Sequence, residues 1–401
     1  MPKPRVLFVT PAASRSGAPM LLLHLARWMR SRGEHEMSAV LVSGGAMTAE
    51  LAAEMPTVTF EPGGPQPSAP VRWLRRQPMV ARRRLAARVA RCRSVVGRWP
   101  PDLVFCNSAA GAAVLDALGP YPCPVVVGLH EMAYALGRST EWVDGGAMPA
   151  MEHHRPHYIA GSGAVREQLL RRQGIAADRV TVVHDFITAA DFPTPPLPPP
   201  TAPLLAAAGV PAGAAVVGAI ATVEWRKGAD LLVPLARLLP ATDATGRPVH
   251  LVWVGGGLTP LDMVQLRFDV ETAGLGDRVH LVGATRRTAD WYPAFTAFAM
   301  LSREDPFPLV ALEAAACGLP VVCFADAGGV PELVEADAGR IVPYLDLAAF
   351  ASALMELLDD PALAARMGRR AAEKVRARHD VSVAAPQVME CIDRLIGTAT
   401  Q

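Results

Sequence analysis

Short β-branched runs alternate with helical periods along this 401-residue chain, and a charge-free, proline-dense stretch splits the alternation in two. Before the stretch, strands are expected near Val6, Ala39, Val58, Val104, Val126, Ile159 and Val182; after it, near Val217, Leu251, Val279, Ala299, Val321 and Ile341. When each strand is followed by a helix, the next strand can return parallel to the first, so strict alternation implies parallel sheets. Two such blocks imply an α/β protein with two Rossmann-like parallel-sheet domains facing a cleft. The expected boundaries are 1–192 for the first domain, rejoined by a C-terminal helix within 381–401, then 193–203 for the linker and 204–380 for the second domain. From Phe192 to Val223 there is no charged residue, which on length alone would suffice to span a bilayer. The prolines from Pro193 to Pro203, followed by Gly209, Pro211 and Gly213, mark a linker running into a buried strand instead.

Composition narrows the function classes. A formal net charge of +1 gives no argument for nucleic acid as partner. The six cysteines show no Cys-x-x-Cys spacing and lie in apolar contexts, so they are expected to be reduced core residues of a cytoplasmic protein, with no disulfide or metal framework. The chain opens directly on a strand, Arg5 to Thr10, without the pattern of a signal peptide. Of 39 basic residues only Lys3, Lys227 and Lys374 are lysines, so a lysine at a turn is informative.

Lys227 stands in such a turn. Trp225-Arg226-Lys227-Gly228 follows the first strand of the second block and leads into a helix, where two adjacent cations suit a diphosphate. The alternative is a solvated basic turn. Further on, Ser302 to Pro320 places Asp305 in a loop and Glu313 in a helix expected from Leu309 to Cys317, as its only charge. Such a carboxylate must be paired, hydrogen-bonded or turned toward a ligand, and a pair of ribose hydroxyls would satisfy it. Pro308 suits the first helical position, leaving the amides of Leu309, Val310 and Ala311 as an anion site. Gly17 lies in the loop after the first strand, and Gly255 to Gly257 follow the strand Leu251 to Val254; neither loop is G-x-G-x-x-G. His130 ends the strand Pro124 to Leu129, where ligands gather in open α/β sheets. No Asp-x-Asp occurs, so a metal-bound diphosphate has no support in the sequence.

Asp305, Glu313 and the following Gly318-Leu319-Pro320-Val321-Val322 resemble the signature of the retaining glycosyltransferases of family 4, in which two glutamates flank seven residues ahead of Gly-x-Pro-Val-Val. The resemblance runs in motif order over nearly the whole chain. It implies the GT-B fold, a nucleoside diphosphate sugar as donor substrate, no cofactor and no metal. It also implies that Asp305 meets hydroxyls of the donor sugar, Glu313 holds the ribose, and Arg226 and Lys227 hold the diphosphate. Gly17 would lie against phosphates and acceptor, Gly255 and Gly257 under the nucleotide, Phe307, Pro308, Leu309 and Val310 around the donor, and His130 at the reacting centre. Three positions depart from the family pattern. Asp305 replaces a glutamate, Pro308 replaces a glycine and removes a backbone donor, and Ala221-Thr222 occupies the place of an arginine whose phosphate contact would be missing or would pass to Arg286, Arg287 or Arg303. The implied chemistry is front-side displacement, the departing diphosphate deprotonating the acceptor hydroxyl of a cell-envelope glycan, glycolipid or secondary metabolite. The competing classes are a GT-B sugar-nucleotide epimerase and a nucleotide-sugar-binding protein without activity.

Between Pro62 and Pro101 there are ten arginines and no acid. Leu85, Val89, Cys92, Val96 and Trp99 form a helical stripe, with Arg82, Arg83, Arg88, Arg91 and Arg98 largely on other faces. Segment 72–98, with Trp73 inside it and Trp99 beside it as interfacial anchors, is therefore expected to contact an anionic membrane peripherally, the alternative being a solvated helix.

Overall fold

A computed structural model describes residues 2–61, 78–97, 99–138, 146–193 and 202–399. The chain divides into two compact units, Met1–Val183 with Ala384–Gln401, and His184–Val383.

The first unit holds seven strands: β1 (Arg5–Thr10), β2 (Glu36–Ser43), β3 (Thr57–Glu61), β4 (Leu103–Asn107), β5 (Val125–Leu129), β6 (His157–Ala160) and β7 (Val180–Val182). All neighbours are parallel, in the order β3-β2-β1-β4-β5-β6-β7. Phe8 of β1 lies opposite Ala39 of β2 on one side and Phe105 of β4 on the other. β4, β5 and β6 are buried along their whole length, as strands of a parallel sheet covered on both faces must be. The chain runs outward from β1 to β3 and then returns to β4 beside β1. Loops leaving β1 and β4 therefore diverge, and the order reverses there.

The second unit repeats the plan with β8 (Ala215–Ile220), β9 (Val249–Val254), β10 (Val279–Gly283), β11 (Ala297–Met300), β12 (Val321–Phe324) and β13 (Gly339–Val342). Their order is β10-β9-β8-β11-β12-β13, again parallel, with the reversal between β8 and β11. Trp253, Phe324, Phe350, Leu354 and Leu357 are among the buried side chains of its core. Each strand expected from the sequence is present at its expected residue.

The unit boundary falls at Val183 rather than at 192. Residues 184–192 belong to the second unit because their backbone is satisfied there: Ile187 bridges Asp380, and the Ala189 amide donates to the Asp380 carboxylate at 2.8 Å. From Ala384 onward the last helix, Val381–Ala399, belongs to the first unit, where Asp393 meets His35 at 2.7 Å. Linker residues 194–201 lie outside the described residues, and a helix Ala202–Ala207 follows them.

The arginine-rich helix spans Pro78–Gly97; residues 72–77 and 98, Trp73 included, lie outside the described residues. Cys92 is buried as the stripe requires, but Leu85 is 47% exposed. Arg88 pairs with Glu61, Arg91 donates to the Thr59 carbonyl, and Arg93 donates to the carbonyls of Ala117 and Gly119. β3 is an edge strand, so its outer carbonyls and end carboxylate need donors, and the helix supplies them. No helix of the described residues is long and apolar enough to cross a membrane.

Candidate active site

In the second unit, the loops leaving β8 and β11 bring Arg226, Lys227 and Asp305 together. A 3₁₀ turn, Trp225–Lys227, closes on Gly228 at φ 74°, the left-handed region. A Cβ on Gly228 would sit 2.0 Å from the Leu301 carbonyl oxygen, so only glycine allows the turn to press against the end of β11. The Arg303 amide then donates to the Arg226 carbonyl at 2.8 Å. Asp305 is fixed from its other side by a bridge to Gly328, where a Cβ would lie 1.8 Å from the Asp305 carbonyl oxygen, and by its amide on the Ala327 carbonyl at 2.7 Å.

Asp305 is 5% exposed, and its carboxylate is engaged by its own surroundings. Oδ2 accepts from the Lys227 ammonium and, at 3.1 Å, from Ser302 Oγ, while Oδ1 lies 3.7 Å from the Arg226 guanidinium. Arg226 also donates to Glu224 at 3.1 Å and to the Glu304 carbonyl at 2.9 Å. Burial works against charge on Arg226, but Asp305, Glu224 and Glu304 outweigh it and raise its pKa. Burial lowers the Lys227 ammonium below its ordinary value despite Asp305. Two cations thus face two carboxylates, and any anion arriving there would compete with Asp305 for Lys227.

The helix is Leu309–Ala316, and Pro308 precedes it instead of occupying its first position. With ψ at 126°, Pro308 is extended, and its carbonyl accepts the Ala311 amide at 3.0 Å. The amides of Leu309 and Val310 remain at the open first turn, while that of Ala311 is used. Phe307 is buried against His379 and His184, with ring centroids 4.9 and 5.7 Å away. Glu313 is half-buried, and its Oε2 accepts the phenol O–H of Tyr292. Burial raises its pKa despite that bond. Gly255 bridges Gly283 and Gly257 bridges Val223, so both turns pair with their own neighbours. Of the arginines expected to replace the missing one, Arg303 forks onto Asp230 at 2.7 and 2.8 Å and stacks 4.7 Å over Trp225. Arg287 pairs with Asp290, and Arg286 is exposed. Lys374, another of the rare lysines, is buried and caps the carbonyls of Leu333 and Val334 at 3.2 Å, a structural duty.

In the first unit, Gly17 is the first residue of the helix Gly17–Arg32 rather than a residue of the loop before it, and a Cβ there would meet open space. His130 Nε2 lies 3.3 Å from Asn107 Oδ1 at the end of β4. Asn107 also donates to the Ala18 carbonyl at 2.7 Å and to Thr10 at 3.3 Å, tying together the loops on both sides of the order reversal. Glu131 accepts from the Ser108 hydroxyl and from the amides of Ala109 and His130 at 3.1 Å, and Ser108 is held at φ 103°. Asn107, Ser108, Ser302, Glu224 and Tyr292 were missed by the sequence reading. A polar Asn-Ser pair ending an apolar strand was the available signal for the first two; the pairing of Tyr292 with Glu313, 21 positions away, carried none.

Residues 15–190 match the family model described as Glycosyltransferase Family 4, and residues 214–360 the one described as Glycosyl transferases group 1. The D-inositol 3-phosphate glycosyltransferase 1 of Catenulispora acidiphila is 31% identical over 269 residues, covering 64% of this chain and 62% of that protein. Its namesake from Xylanimonas cellulosilytica is 35% identical over 225 residues, covering 54% and 52%. The matches therefore span between half and two thirds of those relatives' length. The crystal structure of HepE from Anabaena with UDP and glucose superposes with a TM-score of 0.79 at 23% identity, over 98% of this chain and 100% of that one. At that identity the likeness establishes the fold, which is GT-B. Since both halves match glycosyltransferase family models, over residues 15–190 and 214–360, and the fold is GT-B, the protein belongs to glycosyltransferase family 4.

Proposed function

We propose that the chain is a retaining, metal-independent glycosyltransferase that moves a sugar from a nucleoside diphosphate sugar to an acceptor hydroxyl. The observation that carries this reading is the pairing of Lys227 with Asp305 at the order reversal of the second sheet, beside the open first turn of the helix Leu309–Ala316. A diphosphate arriving there takes Lys227 as counter-ion, Arg226 and the helix turn share its charge, and the released Asp305 carboxylate accepts hydroxyls of the sugar. Glu313 accepts from the ribose. As the bond to the leaving oxygen lengthens, the departing diphosphate takes the proton of the acceptor hydroxyl. Because the sequence contains no Asp-x-Asp, the counter-charge comes from side chains and amides. HepE, solved with UDP and glucose, supports the donor class, and the relatives named for D-inositol 3-phosphate support a polyol hydroxyl as acceptor. We assign the reaction to the cytoplasm, with the helix Pro78–Gly97 touching an anionic membrane through exposed Met79, Arg83 and Leu85.

Calorimetry with UDP, GDP and ADP tests the site. Lys227→Ala is expected to weaken the tightest of them by about 2 to 4 kcal/mol, and unchanged affinity in folded protein refutes the assignment. Transfer is expected to persist in excess EDTA. A strict requirement for magnesium or manganese overturns the metal-independent mechanism, and release of an altered nucleotide sugar without acceptor establishes an epimerase instead.

A further inference from the structure

Tyr292 is fully buried, and its phenol oxygen lies 2.5 Å from Glu313 Oε2, the one hydrogen bond of that carboxylate among the described residues. Its ring lies 6.1 Å from that of Phe298 and 6.2 Å from that of Phe192, so it has little room to turn away. A phenylalanine would fill this space with no polar atom to desolvate, so the hydroxyl costs stability unless it is bonded. What it bonds is the carboxylate of a helix whose other side chains are apolar. A glutamate on such a face is free to rotate about its terminal torsion, and one fixed oxygen sets where the other points.

We propose that Tyr292 is a positioning residue, holding the Glu313 carboxylate by Oε2 so that Oε1 is presented to the ribose of the donor. This rests on the reading of Glu313 as the ribose acceptor. A site prepared to bond a hydroxyl rejects the analogue lacking it, so the readout is discrimination between UDP and 2′,3′-dideoxy-UDP, or the corresponding GDP or ADP pair if that base binds more tightly. Wild type is expected to prefer the ribose form, and Glu313→Ala to lose the preference. Tyr292→Phe is expected to lower affinity for the ribose form about tenfold while leaving the dideoxy form unchanged. A second readout is pH: without the phenol donor, Glu313 protonates more readily, so the fall in affinity on acidification begins at higher pH in Tyr292→Phe. Should that variant not fold, 3,5-difluorotyrosine installed at position 292 makes a stronger donor of nearly the same shape, and affinity for the ribose form alone is expected to rise. Preference retained in Glu313→Ala overturns the ribose reading and the proposal with it. Preference lost there but unchanged in Tyr292→Phe, or in the fluorinated protein where it replaces that variant, overturns the positioning role alone.

Discussion

Asp305 accepts from Lys227 and Ser302 and faces Arg226 while buried, so the carboxylate expected to meet a sugar first serves the cations beside it. Aspartate is shorter than glutamate by one methylene, and at this position the shorter arm reaches Lys227. In the mechanism proposed above its charge opposes diphosphate binding before it helps catalysis, so removing it is expected to have effects of opposite sign on the two. Asp305→Asn is expected to raise nucleoside diphosphate affinity about tenfold, because the competitor for Lys227 is gone. Transfer is expected to fall about a hundredfold, because the sugar hydroxyls lose their anionic partner. Calorimetry and initial rates on the same preparation check both signs, and a fall in both would make Asp305 a structural support for the loop.

Two elements lend themselves to direct tests. The turn Trp225–Lys227 exists because Gly228 adopts φ 74° and lies against the Leu301 carbonyl. Gly228→Ala is expected to lose about 1 to 3 kcal/mol of stability from backbone strain, with more from the clash, and to displace Lys227 from Asp305. Chemical denaturation and diphosphate affinity should both register the change. The helix Pro78–Gly97 has Arg88, Arg91 and Arg93 turned onto its own unit. Arg83, Met79 and Leu85 are among the exposed groups left for a lipid surface. Co-sedimentation with phosphatidylglycerol vesicles is expected at low salt and to weaken at physiological salt, each basic side chain contributing about 1 kcal/mol. Equal partitioning to neutral and anionic vesicles would make the segment an ordinary solvated helix.

Across the molecule, buried histidines set the response to acid. His379, 2% exposed, donates from Nδ1 to the Asp185 carbonyl at 3.2 Å and packs beside Phe307 and His184. Burial first, then the neighbouring His184, lowers its pKa to about 4. His250 and His280, 2.9 Å apart in the second sheet, are lowered by burial as well, and His154 and His157 of the first unit likewise. The unfolded chain titrates near the ordinary histidine value, so between that value and about 4 it binds protons that the folded state does not. The stability that His379 contributes is therefore fully present above the ordinary histidine range and lost as pH falls through this window, by up to about 1.4 kcal/mol per pH unit, and the other four histidines act in the same direction. Urea melts at stepped pH check the slope, and His379→Gln is expected to flatten it.

All thirteen strands of the two sheets were legible in the sequence, because strand and helix alternate locally and a parallel sheet needs that alternation. Arg226, Lys227, Asp305 and Glu313 were legible as well, since charges stand out in apolar or lysine-poor surroundings. Their partners were not. Lys227 and Asp305 are 78 positions apart, Tyr292 and Glu313 are 21 apart, and Asn107 spans 89 to Ala18. Such pairs form only when the order of strands places two loop ends side by side, and no local pattern encodes which loops those are. The same holds for the boundary at Val183: composition marks the prolines, whereas the Ile187 to Asp380 bridge decides which unit the preceding segment joins. Local propensity fixed the elements and the chemistry on offer, and the long-range pairing of backbone and charge decided which of those groups meet.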